Sequence, residues 1–400
     1  MKIDFRGTTY PLRLYSGKGV LEQLASEVDR LDARRAFVVC GRTVSRHTPL
    51  IARINGILGS CSAGTFDGIE KDSTLQSVLA ATEAVRQSDA DAVIAVGGGS
   101  VIQAARVILM LLAEKRPVEA LMTQYPEGGA AVSPKLLASK LPVINVLTLP
   151  TAAQNRGGSA VRGDDVDHRM EFFDPKTRPR AIFWDSDALL TAAPHLARSA
   201  GCTIYWRAVM NLGWVDVNPV LEGGRIHTVK LAGRALPKLD QLDPVPRVEL
   251  CAAAFLLNRD ADDGGQVGER HWVARVTYAF ATALLVCYPE VRHGEAFTAL
   301  TGSMLRQLGQ RDPEAMSNLA NNLGVSMSGA LGSAPAVAVA DYLDSYFSSL
   351  GMPVCLRELG IPREGLDEVM LYALKNFNAD PKREFVRERE LLYQVLQQAW

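Results

Sequence analysis

The sequence has no CxxC pair, no long apolar run, no excess of either charge and no internal repeat. Its six cysteines (Cys40, Cys61, Cys202, Cys251, Cys287 and Cys355) are scattered, several of them inside apolar runs. A cysteine in such a setting behaves as a small buried hydrophobe, which favours a reducing compartment. The formal net charge is −1, so no whole-protein field draws the chain to nucleic acid or to an acidic membrane. The longest strongly apolar stretch, Val107 to Ala113, is far too short to span a bilayer. Lys2, Asp4 and Arg6 stand where a signal peptide would need an apolar core. The expectation is a cytoplasmic protein with no nucleic-acid partner and no membrane partner.

What is present suits a large soluble protein. The chain has 400 residues, 48% apolar and 22% charged, ordinary values for globular domains and a length that suits two of them. The stretch that organises it is Asp91-Ala-Val-Ile-Ala-Val96, running into Gly97-Gly98-Gly99-Ser100 and then Val101-Ile-Gln-Ala-Ala-Arg106. An unbroken short apolar run reads as a buried parallel strand, and Val101, Ala105, Ile108 and Leu112 recur at helical spacing. Strand, glycine turn and helix N-terminus together form an anion site, because glycine lets a diphosphate approach the unpaired N–H groups of the first turn.

Residues 8–16 read as a β segment ending at Tyr15-Ser16-Gly17-Lys18-Gly19, with a helix following to about Leu31. Further strands are read at 35–40, 142–149 and 181–184, and helices at 49–59 and 73–88. Strands alternating with helices predict an α/β fold with a mainly parallel sheet, whose ligands bind beyond the carboxyl ends of the strands. After Asp185 the strand patterns vanish. Helical spacing continues in 186–215, 247–258, 271–288, 295–310, 333–350 and 364–376, while Arg259 to Gly268 reads as a loop on composition. The domains predicted are therefore 1–185, an α/β dinucleotide-binding domain, and 186–400, an all-helical domain.

Taken in order, the motifs resemble those of the iron-containing alcohol dehydrogenase family, whose wider fold is shared with dehydroquinate synthase and glycerol dehydrogenase. They are Gly17-Lys18-Gly19, Asp91 to Ser100, Leu149-Pro150-Thr151 with a small-residue loop to Gly158-Ser159, Asp174-Pro175-Lys176, Trp184-Asp185, Pro194, Ala200-Gly201, His293-Gly294-Glu295-Ala296 and Leu359-Gly360-Ile361-Pro362. The resemblance implies a dinucleotide-binding domain, a helical domain and an active site in a cleft between them. It assigns Gly97, Gly98, Gly99 and Ser100 to the cofactor diphosphate and Thr151 to the nicotinamide and ribose side. Many NAD-using relatives carry an acidic residue after the second strand; here Gly41-Arg42 stands there. An arginine beside an open glycine accommodates a 2′-phosphate, so the cofactor expected is NAD or NADP with NADP favoured. The bland alternative for Arg42 is a solvated surface residue.

The chain departs from the family at the metal. Metal-using members supply one aspartate and three histidines. The matching positions here are Thr203, Arg207 and, near Thr277-Tyr278-Ala279, no histidine; His293 alone remains. His271 is too far before His293 to replace the missing ligand and reads as a surface residue at a helix start. One imidazole does not hold a catalytic ion, which takes about three protein ligands, and a guanidinium repels it. The family's glycine-helix Asp and Lys are also changed, to Gln103 and Arg106, which is read as removing polar groups from the cleft side. No metal is expected.

The catalytic candidates are then Arg207, to stabilise a developing alkoxide or to clamp a carboxylate, and His293, to move the proton. Tyr205 and Tyr278 stand nearby in the sequence pattern. The expected function is a metal-independent NAD(P)-dependent oxidoreductase acting on a secondary alcohol or ketone of a small molecule or peptide. One form is a β-hydroxy acid whose oxidised product loses carbon dioxide, as in the tailoring of ribosomal peptides. Alternatives are a non-catalytic nucleotide-binding pseudoenzyme and a reductase of an oxo-carboxylate like the maleylacetate reductases, a metal-independent branch that keeps histidines missing here. A dehydroquinate-type synthase is disfavoured by the same missing ligands. A homodimer is compatible with the resemblance.

Overall fold

The computed structural model describes residues 3–126, 131–163, 168–240, 242–265, 271–325, 334–376 and 378–400. The chain forms two compact units: an α/β unit of Tyr10–Ala197 with Gln241–Asn258, and a helical unit of Met1–Thr9, Arg198–Asp240 and Arg259–Trp400.

In the α/β unit the strands are β1 (Arg13–Gly17), β2 (Ala36–Cys40), β3 (Ser62–Phe66), β4 (Ala92–Gly97), β5 (Val143–Leu147), β6 (Gly158–Val161), β7 (Met170–Phe173) and β8 (Ala181–Asp185). Six of them make one parallel sheet in the order β1-β8-β5-β4-β2-β3, and β6 pairs with β7 antiparallel. Every residue of β2, β4, β5 and β8 is buried, as a sheet covered on both faces requires. Alternate residues feed two cores. Phe37, Val39, Val93 and Ala95 meet helices α4 (Leu75–Gln87) and α5 (Gly99–Ala113) on one face. Ala36, Val38, Ile94 and Val96 meet α1 (Leu24–Arg30) and α3 (Leu50–Leu58) on the other. Short helices α2 (Arg42–His47) and α6 (Ser186–Leu190) complete the unit.

The chain moves from β2 outward to β3, then returns to place β4 on the opposite side of β2. The carboxyl ends of β2 and β4 thus flank the topological switch point, where open α/β sheets bind ligands.

Three sequence expectations shift. The first strand covers Arg13–Gly17 rather than 8–16. Strands β3 and β6 lie in stretches of small residues that carry no apolar run, so pairing rather than propensity makes them strands, and β7 (Met170-Glu-Phe-Phe173) is too short a run to be read alone. The α/β unit also extends beyond 185 and takes in Gln241–Asn258. The reason is polar: Gln154 Nε2 donates to the Cys251 carbonyl (2.8 Å), Asn258 Nδ2 to the Ala152 carbonyl (2.8 Å), and Arg247 Nη1 to the carbonyls of Leu189 (2.5 Å) and Ala192 (2.6 Å).

The remaining helices are α7 (Pro194–Leu212), α8 (Pro219–Ala235), α9 (Val245–Asp262), α10 (Trp272–Cys287), α11 (His293–Leu308), α12 (Pro313–Leu323), α13 (Pro335–Ser349), α14 (Leu366–Ala373), α15 (Glu384–Arg387) and α16 (Arg389–Gln398). Helices α8 and α12 fall where no apolar periodicity was read. Their ends are marked by caps instead: Asn218 Oδ1 accepts from the N–H of Val220 and Leu221 ahead of Pro219, and Gly324 closes α12 at φ 66°. The segment from Arg259, read as a loop, is helical to Asp262 and carries an i,i+4 ion pair between Arg259 and Asp263 (3.0 Å); its residues 266–268 lie outside the described residues. His271 does begin a helix but is buried, not on the surface. Its Nδ1 accepts the Ala274 N–H (3.3 Å), and its Nε2 lies 3.1 Å from the Met210 carbonyl. Among the described residues no helix is long and apolar enough to cross a membrane.

Candidate functional site

Strand β4 ends at Gly97 and α5 begins at Gly99, with Gly98 as its N-cap. The Ile102 N–H donates to the Gly98 carbonyl (3.2 Å), which leaves the N–H groups of Gly99, Ser100 and Val101 projecting from the helix end. Side chains do not fit at this turn. A Cβ on Gly97 would lie 2.7 Å from Val101 Cγ2, one on Gly98 3.3 Å from Leu149 Cδ2, and one on Gly99 3.2 Å from Thr151 Oγ1. The backbone is bare where an anion would approach, and Thr151 stands directly beside it.

At the switch point lies a cavity of about 310 Å³, at the lower end of ligand-pocket volumes. Gly41 and Arg42 from the end of β2 line it, together with Gly97 and Gly98 of the turn and the Gly68–Lys71 loop that follows β3. Arg42 is exposed at the start of α2. Glycine turn, open Gly41 backbone and cavity form a cradle that fits a dinucleotide.

Glu70 and Lys71 were not read from the sequence, because no motif marks the loop after β3. The structure shows how it is held. Its Ile69 N–H donates to the Cys40 carbonyl (3.2 Å), and the Arg162 N–H donates to the Ser73 carbonyl (3.2 Å). The Asp72 N–H donates to Ser100 Oγ (3.0 Å), and Ser73 Oγ donates to the Ser100 carbonyl (2.6 Å). Asp72 and Ser73 are both left-handed, at φ 62° and 55°, a conformation that costs such residues about 1–3 kcal/mol each. The Ser100 hydroxyl therefore serves this loop, while its backbone N–H is among those projecting from the helix end.

The segment after β5, from Thr151 to Ala160, is a polar lattice. Arg106 of α5 is fully buried, with Nε donating to Ser159 Oγ (2.9 Å) and Nη1 to the carbonyls of Ala153 (2.5 Å) and Arg156 (3.1 Å). Desolvation lowers its pKa to about 9, so it remains a cation at neutral pH. Gln103 Oε1 accepts the Ala160 N–H (3.0 Å). Gln103 and Arg106 thus do not simply delete polar groups; they pin the segment that carries Thr151.

In the helical unit, Ser199, Thr203 and Arg207 share one stripe of α7 by helical spacing. Ser199 meets the start of α11, where its Oγ accepts the Gly294 N–H (3.0 Å) and a Cβ on residue 294 would lie 2.2 Å from the Ser199 carbonyl oxygen. His293 is the first residue of α11 and half-buried, as is Arg207. Tyr278 of α10 is half-buried with its ring 6.2 Å from Phe297, the ring that Trp206 meets at 4.2 Å. Helices α7, α10 and α11 thus meet through Ser199 and Gly294 and through the rings of Trp206, Phe297 and Tyr278.

Tyr205 does not belong with them. It lies two residues before Arg207, about 200° round the helix, and is 2% exposed. It packs against Tyr346 (4.9 Å) and Phe347 (6.2 Å), and burial pushes its hydroxyl pKa upward. It is a core residue.

The donor set does not fit a divalent metal. Thr203 Oγ1 already donates to the Ser199 carbonyl (3.3 Å), Arg207 has no lone pair to give, and position 279 is alanine. Among the described residues no group of three or more His, Cys, Asp or Glu side chains could hold a metal ion.

Residues 11–186 match the family model for iron-containing alcohol dehydrogenase. Maleylacetate reductase 2 of Cupriavidus pinatubonensis is 28% identical over 234 residues, 58% of this chain and 56% of that protein. The maleylacetate reductase of Burkholderia cepacia is 24% identical over 390 residues, covering 97% of this chain and 95% of that one. Among solved structures, the NADH-dependent butanol dehydrogenase A of Thermotoga maritima shares the fold at a TM-score of 0.82, with 16% identity over 99% of this chain and 100% of that one.

Proposed function

We propose that the chain is a metal-independent member of the iron-containing alcohol dehydrogenase family, whose model matches residues 11–186, and that it oxidises a secondary alcohol, or reduces its ketone, on a substrate bearing a carboxylate. Family membership makes it an alcohol dehydrogenase-like oxidoreductase using NAD(P). The observation that supports the finer reading is the contrast between two sets of residues: the glycine turn lines a cavity, while the positions matching the family's metal ligands hold Thr203, Arg207, no histidine near Thr277-Tyr278-Ala279, and a single His293.

Gly97, Gly98 and Gly99 would hold the diphosphate through backbone N–H groups, Thr151 would line the nicotinamide side, and Gly41-Arg42 favour a 2′-phosphate. When bound, the nicotinamide supplies the hydride acceptor or donor. In the oxidation direction His293 takes the hydroxyl proton and the Arg207 guanidinium stabilises the oxygen as charge develops on it, the part a metal plays elsewhere. A β-hydroxy acid would give a β-keto acid, which loses carbon dioxide without further help. The similarity to two maleylacetate reductases supports a reductase of an oxo-carboxylate as the second reading.

Metal analysis of purified protein, with turnover of β-hydroxy acids and oxo-carboxylates measured with and without chelator, tests this. Turnover that survives chelation in protein free of stoichiometric iron or zinc, and that falls at least tenfold in Arg207→Ala, about 1.4 kcal/mol, is the result expected. Stoichiometric metal required for turnover refutes the reading. A wild type that binds nucleotide but turns over neither substrate class makes it a pseudoenzyme.

A further inference from the structure

We propose that Lys71, held in place by Ser100, is a second cation for the 2′-phosphate of NADP, acting with Arg42 in the cavity at the switch point. This rests on the cofactor reading above. Arg42 follows the end of β2 and Lys71 lies in the loop after β3, and both line the cavity that Gly97 and Gly98 also line. The third charged lining residue, Glu70, has its Oε2 engaged by Thr74 Oγ1 (2.8 Å), at the cap of α4. The lining therefore carries two cations to one anion, and a dianionic phosphate is the ligand group that such a balance favours.

What brings Lys71 there is an unusual piece of backbone. Asp72 and Ser73 immediately after it are both left-handed, and neither is glycine. Ser100 supports both, accepting the Asp72 N–H on its hydroxyl and the Ser73 hydroxyl on its carbonyl. Arg169 adds an ion pair to Asp72 (3.3 Å). A pair of strained residues persists only where the surroundings over-determine them, and such outliers gather at ligand clamps. A first-turn residue of the helix proposed to receive the diphosphate thus also sets the wall proposed to face the ribose. Ser100 is a positioning residue, and Lys71 contacts the ligand.

The experiment is equilibrium binding of NADPH and NADH by nucleotide fluorescence, with 2′,5′-adenosine bisphosphate and ADP as competitors. The proteins are wild type, Lys71→Ala, Ser100→Ala and the double variant, each checked for an unchanged thermal transition. Lys71→Ala should weaken NADPH and 2′,5′-adenosine bisphosphate by about tenfold or more, the range for a hydrogen bond to a charged group, and leave NADH and ADP within about twofold. Ser100→Ala should shift the same split in the same direction, and should add little in the Lys71→Ala background, since the two act through one contact. Equal weakening of both nucleotides, or no change in either, overturns the proposal while leaving the cofactor reading intact. Failure of wild type to bind any of the four ligands overturns both.

Discussion

Replacing Arg106 by methionine removes a cation that makes three hydrogen bonds and touches no carboxylate among its hydrogen-bond partners. Two opposing effects follow. The carbonyls of Ala153 and Arg156 lose their donor in a dry interior, at roughly 1–3 kcal/mol each. Against that, a guanidinium no longer has to be stripped of water, a penalty large enough to lower its pKa to about 9 and one that can offset several such bonds. Methionine keeps most of the side-chain volume, so no cavity term is added. Ser159 Oγ retains its bond to the Gln103 carbonyl (3.0 Å). The net loss expected is about 2–4 kcal/mol, or very roughly 5–12 °C in the melting of a unit this size. Tryptophan fluorescence in urea reads it well, because Trp184 Nε1 donates to Gln154 Oε1 (2.9 Å) within the same lattice. Arg106→Lys should fall between the two, keeping the charge without the planar fork. A methionine variant that unfolds within about 0.5 kcal/mol of wild type, the usual range for surface changes, would show that the lattice does not depend on Arg106.

Tyr205→Phe should leave kcat and KM unchanged and cost no more than about 1 kcal/mol; a large loss of kcat in a stable variant would return Tyr205 to the site. Gly294→Ala should destabilise the protein by about 1–3 kcal/mol in urea unfolding, because its Cβ would meet the Ser199 carbonyl; a neutral result would mean that α7 yields at that point. Burial pushes the thiols of Cys40, Cys202 and Cys287 from 9.0 up to about 12. Between those values the unfolded chain sheds protons that the native one keeps, so stability should fall as pH rises through that window and be unaffected below it. Arg106 works the other way over the same range, since its native value is the lower one, but three thiols outweigh one guanidinium. Urea midpoints near neutrality and inside the window check this, and a flat profile would refute the assigned burial of the thiols.

The two halves of the candidate site differ in how far the sequence discloses them, and the difference is physical. Gly97 to Ser100 is local: strand, turn and helix follow one another, and the three glycines announce a backbone that must be bare. Thr151 follows the next strand and is found by the same logic. Lys71 is not local. It reaches the cavity from the loop after β3, followed by two left-handed residues held by long-range bonds to Ser100, Arg162 and Arg169. Tyr205 misled in the opposite sense, because a polar aromatic beside a ligand position reads as chemistry until helix geometry turns it to the core. Helix α8 is hidden because its caps mark it more clearly than any apolar stripe, whereas α12 buries Ala315, Met316, Leu319 and Ala320 on one face of only 11 residues, a run too short to stand out.

The same contrast bears on how the proposed loss of the metal would leave the fold intact. The stripe Ser199, Thr203, Arg207 is tied to α11 at its Ser199 end by a backbone contact that only Gly294 permits. That contact does not involve the ligand positions, so their side chains are free to change without loosening the helix pair. Thr203 even satisfies itself by bonding back to Ser199, as a helical threonine does when no external partner claims it. The guanidinium at position 207, one turn on from Thr203, offers planar N–H donors and a positive charge to an oxyanion. A substrate carboxylate and a developing alkoxide are the two groups proposed for it, and Arg207→Lys discriminates between them. A bidentate clamp on a carboxylate loses its geometry with lysine and should show a raised KM, whereas a point charge beside an alkoxide survives the exchange with kcat largely kept. Loss of kcat at unchanged KM in Arg207→Lys would rule out both roles as stated.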